Sequence, residues 1–143
     1  MKPVPAPSSI GTLGSFEAVS CAGPSFCAAV GNYVTTGPYP QPLAGVWDGS
    51  SWRVEAIPHS HPELNLEGVA CVAASSCQAV GYTLNGTLAL GWNGTAWTLE
   101  ATPSPHSTKE FPTELSAVST VPGGGFVAVG YTHSVKSLVE LHP

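Results

Sequence analysis

The sequence predicts an all-β fold of four-stranded antiparallel blades of the β-propeller type, about three to the chain. Three observations carry that prediction. Two sequence blocks recur at offsets of 50 and then 49 residues, and a third block, present twice, opens on a hairpin-turn dipeptide. No segment sustains a helical period with capping residues at its ends.

The first block is Phe16-Glu17-Ala18-Val19-Ser20-Cys21. It returns as Leu66-Glu67-Gly68-Val69-Ala70-Cys71 and as Leu115-Ser116-Ala117-Val118-Ser119-Thr120. These segments predict strand A of each unit. The second block, Cys27-Ala28-Ala29-Val30-Gly31-Asn32-Tyr33, returns at Cys77–Tyr82 and Phe126–Tyr131 and predicts strand B. The third block is Trp47-Asp48-Gly49-Ser50-Ser51-Trp52, matched by Trp92-Asn93-Gly94-Thr95-Ala96-Trp97. Asp-Gly and Asn-Gly between apolar runs are strong hairpin signals, so strand C precedes each turn and strand D follows it.

Four strands in a period of 40 to 50 residues is the pattern of a propeller blade; the competing architecture is an ordinary β-sandwich with chance similarity. The expected division is an N-terminal strand over 1–15, blades over 16–65 and 66–114, and an incomplete blade over 115–143.

These blocks resemble the repeats of secreted bacterial β-propellers, which carry Ser-Cys…Cys-x-Ala-Val-Gly and Trp-Asn-Gly-Thr-x-Trp in each blade. The resemblance covers nearly the whole chain from Phe16 onward. It implies a propeller fold and an extracellular compartment, and it brings no catalytic motif.

The four cysteines form two pairs of equal spacing, Cys21 with Cys27 and Cys71 with Cys77. The third unit has Thr120 and Phe126 at those positions, so both members of the pair are absent together. Joint absence is expected when each pair forms one bond, and we expect Cys21–Cys27 and Cys71–Cys77 disulfides. Zinc is the rival reading, but it favours Cys-x(2–4)-Cys spacing and needs further ligands. Disulfides place the chain in an oxidising setting, outside the cell or on its surface.

Composition narrows the partners. Charged residues are 9% of the chain, against roughly 25% in soluble domains. The four basic residues, Lys2, Arg53, Lys109 and Lys136, are scattered and the net charge is −5. Nucleic-acid binding needs clustered cations that release phosphate counterions, so it is not expected, and neither is a polybasic membrane patch. No run reaches the roughly 18 apolar residues of a membrane helix. Met1–Pro7 has no hydrophobic signal core, which leaves a removed leader, an excised segment or another export route.

The third unit stops at strand C. Its missing strand D has a candidate at the other end, where Val4 aligns with Val54 and Ala6 with Ala56. Lys2–Pro7 is expected to be a detached strand D, with its prolines tolerated on an outermost strand. Three blades are too few to close, since propellers have about 4 to 8. Three outcomes follow: a homodimer closing a six-bladed ring, a head-to-tail filament, or a fragment of a longer propeller.

Candidate binding residues are few. Trp47 with Trp52 and Trp92 with Trp97 are expected to pair across their hairpins; packing between blades competes with stacking on a glycan. Glu17 and Glu67 share one repeat position and are expected just before the innermost strand, where solvated loop residues are the leading reading and a pair facing a central channel the alternative. Asp48 aligns with Asn93 and reads as turn chemistry. His59 and His61, with His106 in the equivalent loop, read as loop residues. Asn85 and Asn93 match a glycosylation pattern. No catalytic residue, metal or cofactor is expected. The leading functional expectation is an extracellular non-catalytic scaffold that assembles or binds glycans or surface proteins. The alternatives are a glycan-acting enzyme with a site at the channel mouth, where Glu17 and Glu67 would act as its carboxylates, and a filament subunit built by strand donation.

Overall fold

Short apolar runs separated by residues that can only turn give this chain its strands. A computed structural model describes residues 14–34, 37, 39–58, 63–103, 113–132 and 136–142. The strand expected at 2–7 and the histidines at 59, 61 and 106 lie outside the described residues. Eleven strands follow: β1 (Gly14–Gly23), β2 (Phe26–Val34), β3 (Pro40–Trp47), β4 (Trp52–Glu55), β5 (Leu64–Ala73), β6 (Ser76–Thr83), β7 (Gly86–Trp92), β8 (Trp97–Glu100), β9 (Glu114–Thr120), β10 (Phe126–Thr132) and β11 (Lys136–His142). They form antiparallel meanders in three sheets, β1-β2-β3-β4, β5-β6-β7-β8 and β9-β10-β11. The blades pack on one another chiefly through β1, β5 and β9, which are the innermost strands.

Each innermost strand carries a bulge at the same place. The register skips one residue between Phe16 and Ala18, between Leu66 and Gly68, and between Leu115 and Ala117. A bulge pushes the backbone of one strand toward its partner. Here it drives the carbonyls of Ser15, Asn65 and Glu114 into the space where a Cβ would stand on Gly31, Gly81 and Gly130. The glycine of each Ala-Val-Gly block is therefore required by the bulge. Glu17 and Glu67 are the extra residues of their bulges. They sit inside the innermost strand, where the sequence placed them just before it.

The remaining turns obey the same local chemistry. Asp48 Oδ1 accepts from the backbone N–H of Ser50 at 2.8 Å and of Ser51 at 2.9 Å. Asn93 Oδ1 does the same for Thr95 and Ala96, both at 2.9 Å. Gly49 and Gly94 follow at a φ of 96°, which only glycine adopts at no steric cost.

Alternation along the strands gives each blade two apolar faces. On one face of the first blade stand Ala28, Val30, Ala44 and Val46, each 2% exposed or less. It packs against a face of the second blade formed by Leu66, Ala79, Leu88, Leu90 and the Trp92–Trp97 pair. Between the second and third blades Val80 meets Leu115 and Ala128. Gly68 lets the inner strands close up there, for a Cβ on it would meet Ala117 Cα at 3.2 Å.

Candidate functional site

The repeat positions decide which groups meet. The first and second blades are stitched through side chains. Asn32 Oδ1 accepts the Leu66 N–H at 3.1 Å while its Nδ2 donates to the Leu66 carbonyl at 3.4 Å. Ser20 Oγ accepts the Cys71 N–H at 3.0 Å. The equivalent positions facing the third blade hold Tyr82 and Ala70, which carry neither the amide nor the short hydroxyl.

Tyr82 opens a different cluster. The bulges bring Glu17 and Glu67 close enough to interact, and β9 adds Glu114. Burial pushes the Glu67 carboxyl up, and the charges of Glu17 and Glu114 add to the shift. Tyr82 is raised by burial first, then by Glu114 and Glu67. A hydrogen bond to Glu114 is the main cause that pushes Tyr131 up to about 12. This acidic, tyrosine-flanked rim holds carboxylates and phenols. Among the described residues no three His, Cys, Asp or Glu side chains gather as a metal set.

Glu114 was not singled out by the sequence. In the third unit the bulge residue is Ser116, and the acid stands two positions earlier, where Ser15 and Asn65 stand in the other blades.

The tryptophans meet as expected. Trp47 and Trp52 pair across their hairpin with ring centres 5.9 Å apart, and Trp92 and Trp97 at 5.4 Å. Such pairs add about 0.5–1.5 kcal/mol beyond their buried area. Trp92 and Trp97 are each 3% exposed. Phe26 of the first blade lies 6.4 Å from Trp92, and Trp92 Nε1 donates to the Ala74 carbonyl. Their faces are closed to any ligand. Trp47 and Trp52 are half-buried, with Phe16 6.0 Å from Trp52 and over Gly45.

Cys21–Cys27 and Cys71–Cys77 are disulfides between directly opposed residues of β1–β2 and β5–β6, and no described cysteine is free. The zinc reading of these four residues is thereby set aside.

The third blade departs from the pattern. By strand register Glu140 takes the place of Leu90 and His142 that of Trp92, and β11 has no fourth strand beside it among the described residues. A cavity of about 280 Å³ results between the second and third blades. Its polar lining is Gln78, Glu100, Thr102 and Glu140, with Leu115, Phe126 and Ala128 among its apolar walls. Gln78 donates to Glu100. Glu140 Oε1 is buried without a hydrogen-bond partner, and burial pushes this carboxyl up.

One face is bare and a second is partly open. On the third blade Val129, Val139 and Leu141 are 45%, 61% and 75% exposed. Their equivalents Val30, Ala44 and Val46 in the first blade are buried, as are Val80 and Ala89 in the second. On the first blade Val19 is 62% exposed, whereas its equivalent Val69 is 7% exposed, but Ala29 and Leu43 on the same face are buried.

No family model and no curated protein matches the chain. Among solved structures it superposes on one described as YCF48 bound to D1 peptide, with a TM-score of 0.56 and 12% sequence identity. The match covers 92% of this chain and 41% of the other. The likeness is one of fold, a β-propeller, and this chain spans about two-fifths of that protein's length. No described helix is long and apolar enough to cross a membrane.

Proposed function

We propose that this chain is a non-catalytic propeller scaffold that works outside the cell or on its surface by assembling with copies of itself. The observation that carries the reading is the bare face of the third blade, together with the partly open face of the first. The exposed face of the third blade is the counterpart of the one that the first blade buries on the second. The half-open face of the first blade is the counterpart of the one that receives it. They are the two halves of a joint already made inside the chain. A second copy would supply the missing half at each end, giving two sets of three blades, 16–65, 66–114 and 115–143, in a six-bladed ring. A head-to-tail filament is the open form of the same joint.

The two disulfides support an oxidising compartment. Glycan stacking on Trp47 and Trp52 competes with assembly, because the joint covers them.

Sedimentation velocity over a concentration series, with imaging of the particles, tests this. Six-lobed rings or linear stacks are expected; three-bladed monomers at every concentration would sink the reading.

A further inference from the structure

Resting on that reading, we propose that the cavity between the second and third blades is a socket for the N-terminal segment of a second copy, with Lys2 of that copy seated against Glu140.

The register places the segment. Val54 lies opposite Gly45 and Trp52 opposite Trp47. Moving back one repeat puts Val4 at the Val54 position and Lys2 at the Trp52 position. Glu140 is the Gly45 equivalent and His142 the Trp47 equivalent. A strand formed by residues 2–5 beside β11 thus sets Val4 opposite Glu140 and Lys2 opposite His142. Lys2 and Glu140 are diagonal neighbours on one face, within reach for a long side chain. That face is the one turned toward the second blade and the cavity.

The chemistry is complementary. In the second blade the same space is filled by Leu90, Trp92 and Trp97, three apolar side chains. In the third it is lined by the half-buried carboxylate of Glu140, whose Oε1 is buried without a partner, and Glu100 stands on the opposite wall. A lysine brings an apolar stem for the apolar walls and an ammonium for that oxygen. Burying a carboxylate without a cation is costly.

The connection length selects a second copy. Eight residues, 56–63, lead from Glu55 to Leu64, carrying the chain from strand D of one blade to the innermost strand of the next. Eight residues, 6–13, likewise separate Pro5 from Gly14. The segment therefore completes the blade that stacks on the open face of its own first blade. In the proposed joint, that blade is the third blade of a neighbour.

The backbone contributes less than a full ladder. The Asp48 N–H donates to the Ser51 carbonyl, so the hydrogen-bonded pairs that follow are Val46 with Arg53 and Ala44 with Glu55. Pro3 and Pro5 fall at the Arg53 and Glu55 positions. They offer carbonyls to the N–H groups of Leu141 and Val139 and no donor in return. Selectivity then rests on the side-chain seat.

Charge exchange in the full chain tests it by sedimentation velocity. Lys2→Glu and Glu140→Lys should each weaken assembly at least about tenfold by setting like charges together. An equimolar mixture of the two variants should restore it, because each then meets the opposite charge in its neighbour. Glu140→Gln serves as the milder partner should Glu140→Lys not fold, and Lys2 lies outside the described residues. Wild-type affinity in both single variants overturns the socket. Weakened singles with no recovery on mixing overturn the second-copy occupant. A wild-type chain that never assembles overturns instead the reading on which the socket rests.

Discussion

Asn32 of the first blade meets both backbone groups of Leu66 in the second, accepting its N–H and donating to its carbonyl. The side-chain amide stands in for one residue of a neighbouring strand, at the free edge of an innermost strand that has no other sheet partner on that side. Asn32→Ala leaves a part-buried donor and acceptor unpaired and should cost about 1–3 kcal/mol. Urea denaturation measures it. A loss of no more than a few tenths would show that water replaces the amide without penalty.

Gly81→Ala should cost about 3 kcal/mol or more, because the new Cβ overlaps the Asn65 carbonyl and neither backbone can yield without undoing the bulge. Gly23→Ala is the control, with nothing within 4 Å of the added carbon; its cost should stay within about 0.5 kcal/mol. Equal effects at the two sites would remove the bulge as the reason for the glycine.

The two disulfides should open in order. Cys21 is exposed, whereas Cys71 and Cys77 are 8% and 2% exposed, and thiol exchange needs access to sulfur. Stepwise reductant with mass-spectrometric mapping of alkylated thiols should find Cys21 and Cys27 labelled first. Closing a loop this short is worth about 2–3 kcal/mol, so loss of Cys71–Cys77 should lower the melting temperature.

Asp48 is held down to about 2, mainly by the Ser50 hydroxyl and the N–H groups of Ser51 and Ser50. A lowered carboxyl stabilises the fold above its ordinary value of 3.8 and loses that contribution as pH falls through about 2. Asp48→Asn keeps the acceptor, as Asn93 does in the next blade. It should leave the melting temperature at neutral pH nearly unchanged and flatten its decline in acid. An unchanged acid limb would assign the decline to other groups.

Glu67 carries the opposite sign. Its carboxyl is raised by burial and by Glu17 and Glu114. The fold binds that proton more tightly than the unfolded chain does, so stability falls as pH rises from the ordinary carboxylate range through the raised value. Glu67→Gln should raise the melting temperature at neutral pH and lessen that fall. A lower melting temperature across the whole range would mean that the carboxylate makes contacts the amide cannot.

The strands, turns and disulfides were legible because they depend on short-range chemistry. Cys21 and Cys27 face each other across one turn, and Asp48 and Asn93 each bind their own loop. Trp47 and Trp52 close one hairpin. What the sequence concealed depends on packing. Gly31, Gly81 and Gly130 recur as letters of a repeat, but only the bulge explains them. Glu114 joins the rim through β9 although its repeat position holds Ser15 and Asn65 elsewhere. Val129, Val139 and Leu141 carry the same alternation as residues buried in the other blades, and alternation cannot say which face a neighbour covers.

The meander has a consequence for biosynthesis. Every described strand pairs with one adjacent to it in the chain, so a blade needs only short loop closures and can form as soon as its own residues are available. Four cysteines allow three pairings. The two mismatched ones would have to bridge from one blade to the next. Cys21 and Cys27 can oxidise within the first hairpin before Cys71 has been synthesised. The order of synthesis thus works against scrambling.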